Sequence, residues 1–391
     1  MTQRPDEPRA SRVPVGIVLN GVTGRMGYRQ HLVRSLLAIR ADGGLPLPDG
    51  TLLWPEPVLV GRNERKLAGI AERHGLSDWT TDLTEALGRD DVSIYFDALT
   101  TQRREKAISA AIEAGKHVYT EKPLAMDHAG ALALTRAAAA AGIKTGVVAD
   151  KIFLPGLRKL KRLVDGGFFG RVLSVRCEFG YWVFEGDWQP AQRPSWNYRS
   201  EDGGGVALDM FPHWNYVLEH LFGRVRSVQA TITTHIPRRF DEDGVAYAAT
   251  ADDAAYATFE LADGVVAQFN SSWCVRVYRD ELVWFQVDGT HGSAVAGLRH
   301  CRAQSRAATP RPVWDPDLPP DVDQRGDWAE VPDNEVFDNG FRVQWEAFLR
   351  HVVADEPFAW DFAAAARGVR LAELGMRAAR EGRRIEIPET A

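Results

Sequence analysis

The chain has 391 residues, more than a single hydrophobic core usually organises, so two domains are expected. Its 45% hydrophobic and 26% charged residues exclude a disordered or fibrous chain, and a net charge of −6 argues against nucleic acid or an anionic membrane as partner. Cys177, Cys274 and Cys301 show no paired spacing, and no apolar run has signal-peptide or membrane-spanning length, so a cytoplasmic protein without a membrane partner is expected.

Residues 1–12 read as a loose polar tail. From 13 to 150, strand and helix patterns alternate. "VPVGIVLNG" is a buried strand, "MGYRQHLVRSLLAIRADGG" a helix, "PVLVGR" a strand and "NERKLAGIAERHG" a helix. "LTEALGRDD", "VSIYFDALT", "RREKAISAAIEAG", "KHVYTEKP", "HAGALALTRAAAAAG" and "IKTGVVAD" continue the alternation. Such a pattern predicts a doubly wound parallel sheet with helices on both faces, an α/β domain of Rossmann type. The stretch 43–55 reads as an insertion.

From 151 to 391 the pattern is α+β. The helix "GLRKLKRLVDGG" precedes long strand-like segments joined by tight turns, including Ala262-Asp263-Gly264, which predict an open, mainly antiparallel sheet packed on helices. Residues 303–335 read as a surface excursion, and the chain closes on helical sequence whose C-terminal helix can pack back on the Rossmann domain. His235, His291 and His300 lack metal spacing, so no metal is expected.

Three stretches carry chemistry. "GVTGRMG" sets Gly21, Gly24 and Gly27 between a strand and a helix, where backbone can approach a pyrophosphate at a helix N-terminus. Thr23, Arg25 and Met26 share that loop, and Leu99 and Thr100 follow the fourth strand, at the same sheet edge. The second strand ends Val60-Gly61-Arg62-Asn63 with Lys66 beyond. No carboxylate stands there to take ribose hydroxyls, and Arg62 suits a 2′-phosphate, so NADP is expected over NAD; the alternative is a solvated arginine. Glu121-Lys122-Pro123 ends another strand. Far downstream, "GGGVALDMFPH" places Asp209 and His213 four residues apart on one helix face, suited to proton transfer or simply to a surface pair.

Together, the glycine loop, "EAGKHVYTEKP" at 113–123 and "GGGVALDMFPH" at 203–213 resemble the glucose–fructose oxidoreductase / inositol dehydrogenase (Gfo/Idh/MocA) family over almost the whole chain. The resemblance implies an NAD(P)-dependent dehydrogenase or reductase moving hydride between nicotinamide and a carbinol or carbonyl carbon of a sugar, glycoside or cyclitol. It implies catalytic roles for Lys122, Asp209 and His213, with either His213 or Lys122 taking the proton. It also implies a homodimer or homotetramer through the C-terminal sheet. Glu121 and Lys122 are candidate cofactor contacts as well. Lys151 matches a polar substrate position, and the aromatic stretch 180–205 offers Tyr181, Trp182, Trp196 and Arg199 to a sugar; core or oligomer contacts are the alternative for its aromatics. Two departures stand out: Ala98–Arg104 lacks the family's proline and histidine, and Tyr216 replaces a frequent acid. Transient oxidation in a hydrolase or lyase, or a non-catalytic sensor, are the other readings.

Overall fold

A computed structural model describes residues 11–312, 314–319 and 321–388. The expected tail lies outside these for residues 1–10, and Arg12 already opens the first strand. The chain divides into two units, one running through Asp150 and including Asp338–Ala366, the other comprising Lys151–Phe337 and the residues from Arg367 onward.

The first unit is built on β1 (Arg12–Asn20), in which every residue from Val15 to Asn20 is buried, as in a strand covered on both faces. With β2 (Leu45–Pro46), β3 (Leu52–Val60), β4 (Trp79–Thr80), β5 (Val92–Asp97), β6 (His117–Thr120) and β7 (Thr145–Val147) it forms a seven-stranded sheet. The order is β2-β3-β1-β5-β6-β7, with β4 paired to β3, and all pairs are parallel except β2 with β3. A π-type helix, Gly27–Leu37, runs into α1 (Ala38–Ala41) and is followed by α2 (Glu64–His74), α3 (Leu83–Leu87), α4 (Thr101–Glu113) and α5 (His128–Ala140). The Rossmann arrangement expected from the alternation is present.

The stretch 43–55 is partly sheet rather than insertion. Leu45 pairs with Leu53, both buried, and β3 starts at Leu52. Pro55 and Pro57 masked that strand in the sequence. They fit because β3 bonds β1 along its length, while β2 and β4 reach only its two ends, leaving no second neighbour to need those N–H groups.

In the second unit, α6 (Pro155–Asp165) and α7 (Val206–Leu221) accompany a nine-stranded sheet. Its members are β8 (Val172–Gly180), β9 (Val225–Thr233), β12 (Ala254–Leu261), β13 (Val266–Ser272), β14 (Val283–Gly289), β15 (Gly292–Ala296), β16 (Cys301–Ser305), β17 (Ala329–Glu330) and β18 (Ile385–Glu386). A separate hairpin pairs β10 (Arg238–Phe240) with β11 (Ala246–Ala248). Only β8 and β13 pair in parallel; the remaining pairs are antiparallel. β16 and β17 trim the expected excursion at 303–335 at both ends.

Two helices close the chain, α8 (Gly340–Ala354) and α9 (Phe362–Glu381). α8 belongs to the first unit, where Trp345, Phe348 and Leu349 join Ile17, Leu19 and Phe96 in its core. Among the described residues, no helix is long and apolar enough to cross a membrane.

Candidate active site

At the end of β1 the backbone turns through Gly21 at φ +87°, a left-handed value that favours glycine. A Cβ on Gly21 would lie 2.8 Å from the Ala98 carbonyl, and one on Gly27 would lie 2.7 Å from the Gly21 oxygen. Gly24 and Arg25 are exposed at the helix start, with Thr23 and Met26 half-buried beside them. This bare-backbone loop between strand and helix fits a dinucleotide pyrophosphate. At the end of β3, Arg62, Asn63 and Lys66 are exposed. The Asn63 side chain accepts from the Lys66 N–H at 2.9 Å and caps α2, so it has a structural task the sequence reading did not weigh.

The turn after β6 contains a cis peptide bond between Lys122 and Pro123. Glu121 is buried, and its Oε1 lies 2.9 Å from His31 Nε2. Trp345 Nε1 donates to His31 Nδ1 at 3.0 Å. An indole only donates, so Nδ1 holds a lone pair and Nε2 carries the proton aimed at Glu121. Burial pushes the Glu121 carboxyl up, but the His31 bond and the Lys122 charge more than offset it, leaving it below its ordinary value. The other Glu121 oxygen accepts from the Lys122 N–H at 3.3 Å. Glu121 therefore anchors the turn that presents Lys122.

Arg104 completes this turn. Its Nε donates to Asp97 Oδ2 at 2.7 Å, Nη2 to the Leu99 carbonyl at 2.7 Å, and Nη1 to the Pro123 carbonyl. Asp97 also accepts from Tyr95 Oη at 3.0 Å and from the Leu99 N–H at 3.3 Å. Burial pushes the Asp97 carboxyl up against the pull of Arg104. Arg104 stands at the histidine position of the pattern from which Ala98–Arg104 departs, and it links the 98–100 loop to the lysine-bearing turn. The sequence held one signal for it: a cation in the first turn of α4 opposes the helix dipole and calls for a carboxylate partner.

In the second unit, three glycines lead into α7, whose first turn is held by Asp252 accepting from the Ala207 N–H at 2.8 Å. Burial lifts the Asp252 carboxyl to about 6, against the pull of its backbone bonds. His213 is buried on α7, with Nδ1 2.5 Å from Tyr216 Oη and Nε2 3.2 Å from Lys151 Nζ. The Lys151 N–H also donates to Tyr216 Oη at 3.2 Å. As an ammonium, Lys151 only donates, so Nε2 offers its lone pair and the proton of the neutral ring sits on Nδ1, toward Tyr216. Asp209, four residues before His213, accepts from Arg193 at 3.4 Å.

The aromatic stretch is organised around Arg193, which sequence reading missed. Its guanidinium lies 4.2 Å from the Trp273 ring centre and donates to Tyr181 Oη at 3.3 Å as well as to Asp209. Of the expected substrate residues, Tyr181 thus joins the surroundings of Asp209. Arg276 lies over Trp182 at 3.9 Å, and Arg199 lies over Tyr247 at 4.6 Å. Trp196 is half-buried in a short 3-10 turn. Among the described residues, no group of three or more potential ligands is placed to hold a metal ion.

A parallel sheet with a glycine loop, followed by an α+β unit whose helix bears a histidine and a carboxylate, defines a two-domain nicotinamide-dependent oxidoreductase. Residues 56–148 match the oxidoreductase family described as NAD-binding Rossmann fold, and residues 157–295 match the GFO/IDH/MocA C-terminal domain. The chain belongs to the GFO/IDH/MocA oxidoreductase family. It is 59% identical over 379 residues to a D-xylose dehydrogenase of Paenarthrobacter nicotinovorans, covering 96% of this chain and 98% of the relative. It is 27% identical to a levoglucosan dehydrogenase of Pseudarthrobacter phenanthrenivorans over 62% of this chain and 66% of that protein. Its fold matches that of a levoglucosan dehydrogenase in complex with NADH and levoglucosan at a TM-score of 0.80, with 20% identity over 96% of this chain and all of the other. An aldose-aldose oxidoreductase from Caulobacter crescentus matches at 0.74 with 19% identity, over 97% of this chain and all of the other.

Proposed function

We propose that this protein is a cytosolic NAD(P)-dependent sugar dehydrogenase whose substrate is an aldopentose, D-xylose first, oxidised at its ring hydroxyl-bearing C1 to a lactone. The 59% identity across 98% of a D-xylose dehydrogenase carries this reading. The aromatic and guanidinium groups around Tyr181, Trp182, Trp196 and Arg199 support it, since they suit the C–H faces and hydroxyls of a small sugar.

Gly21, Thr23, Gly24, Arg25, Met26, Leu99 and Thr100 would hold the nicotinamide cofactor, which would supply the acceptor for the hydride of the carbinol carbon. The chain's own residues handle the oxygen. His213 accepts the hydroxyl proton through Nε2, Tyr216 and Asp209 keep the imidazole oriented, and Lys122 stabilises the developing alkoxide charge. Lys151, already at Nε2, holds the sugar hydroxyl that comes to that nitrogen. The end of β3 carries Gly61 and exposed Arg62, with no carboxylate before Glu64 opens α2, and this supports NADP over NAD. We further propose a homodimer or homotetramer formed through the nine-stranded sheet, checked by light scattering on a sizing column.

The test is initial-rate kinetics on a panel of pentoses, hexoses, glycosides and inositols with NAD and with NADP, followed by nicotinamide absorbance. Net cofactor reduction with D-xylose is expected. Turnover without net reduction would place the protein among hydrolases or lyases, and efficiency at least about tenfold better with NAD would reject the NADP preference.

A further inference from the structure

The second unit contains a pocket of about 270 Å³ lined by Asn215 and Glu219 of α7, Arg367 and Arg370 of α9, Arg224 and Arg226 around the start of β9, and the chain at Ile387 and Pro388. At about 30 Å³ per water, that is room for about nine waters, more than one inorganic ion needs. Four guanidinium groups meet a single carboxylate among its lining side chains. Glu219 is already committed, accepting from Arg367 in a fork at 3.0 and 2.9 Å. Asn215 is 4% exposed, and its Nδ2 has no hydrogen-bond partner, an unfavourable condition for a buried donor unless something enters to accept from it.

The pocket is separate from the groups assigned to the reaction. Asn215 follows His213 by two positions, about 200° around an α-helix, so the two side chains leave α7 on opposite faces. A ligand here sits behind the helix that carries His213, and nothing in the proposed oxidation uses it.

We propose that this pocket binds a small phosphorylated metabolite, with arginine forks on its phosphate and Asn215 Nδ2 on an oxygen of its body. Planar guanidinium groups match phosphate oxygens in pairs, and their number here exceeds what a monocarboxylate requires. The volume favours a phosphate ester of triose or pentose size over inorganic phosphate.

The experiment is calorimetric titration of the full chain at low ionic strength, with NADPH present in excess so that the dinucleotide site, its 2′-phosphate position included, is filled. Ribose 5-phosphate, inorganic phosphate and citrate are the probes. Ribose 5-phosphate is expected to bind one per chain, to bind more tightly than inorganic phosphate, to weaken with added salt and to raise the melting temperature. The pair Arg224→Glu and Arg370→Glu is expected to raise its Kd by at least about tenfold. If that pair does not fold, Arg370→Gln alone carries the test, with a smaller loss in the same direction. Absence of saturable ribose 5-phosphate binding, or binding undiminished in the folded variant, overturns the proposal. Tighter binding of citrate than of ribose 5-phosphate also overturns it, by assigning the pocket to polycarboxylates. Sugar oxidation is not part of the readout, so failure here is distinguishable from failure of the proposed activity.

Discussion

At His213, Tyr216 fixes one ring nitrogen and Lys151 meets the other, so the lone pair at Nε2 is a consequence of two neighbours that can be removed separately. Lys122→Ala and His213→Ala are each expected to lower turnover by at least about a hundredfold while NADH binding, followed by fluorescence, survives. Tyr216→Phe keeps the ring and removes the oxygen at Nδ1. It should cut turnover by roughly tenfold with little change in KM, because the imidazole loses its orientation and not its place. An unchanged turnover in Tyr216→Phe would leave the orienting role to Asp209 alone. Lys122, Asp209 and His213 stand at an element end or at a helical spacing, and the resemblance to the family is what singled them out as catalytic candidates and Lys151 as a substrate one. Their partners were not legible in the sequence. His31 lies 90 positions from Glu121, and Arg193 reaches Asp209 across an irregular loop that no periodicity describes.

Elements that present these residues depend on local bonds that sequence rules reveal only in part. Asn63 is a candidate cofactor contact from its place after β3, and its side chain also caps α2. Asn63→Ala should therefore destabilise the fold by about 1 kcal/mol in urea unfolding, whereas Arg62→Ala should leave stability nearly unchanged and reduce discrimination between NADP and NAD. An equal loss of NADP efficiency in both variants, with no stability change in either, would assign Asn63 to the cofactor and not to the cap. The turn at 121–123 depends in the same way on Arg104. Arg104→Met strands the buried Asp97 carboxylate and is expected to cost about 3–5 kcal/mol, while adding Asp97→Asn should recover a large part of that loss. The strand starting at Leu52 was obscured for a related reason. Its prolines argue against a strand until the sheet order shows that only one neighbour pairs there.

Across the whole molecule, the alternation of strands and helices and the later run of antiparallel strands were legible because each element repeats a short-range pattern. That C-terminal helical sequence packs back on the first domain was expected, but which helix does so was not legible, since the buried faces of Trp345, Phe348 and Leu349 in that core determine it. A whole-molecule property also follows from one carboxyl. Asp252 supports the start of α7 from a half-buried position, and its folded value of about 6 exceeds its ordinary 3.8. Between these values the folded state binds more protons than the unfolded one, so stability falls as pH rises. The contribution is full below about pH 4 and lost as pH passes about 6; a separation of about two units sets it at about 3 kcal/mol. Two units need not unfold together, so the relevant reading is the melting temperature of the transition that includes α7, followed from about pH 4 to about pH 7. Asp252→Asn keeps an oxygen for the Ala207 N–H but cannot ionise. Its advantage over the natural protein should therefore grow as pH rises from about 4 to about 6 and level off above that. A difference that stays flat or shrinks with pH would show that Asp252 ionises in the fold at no cost.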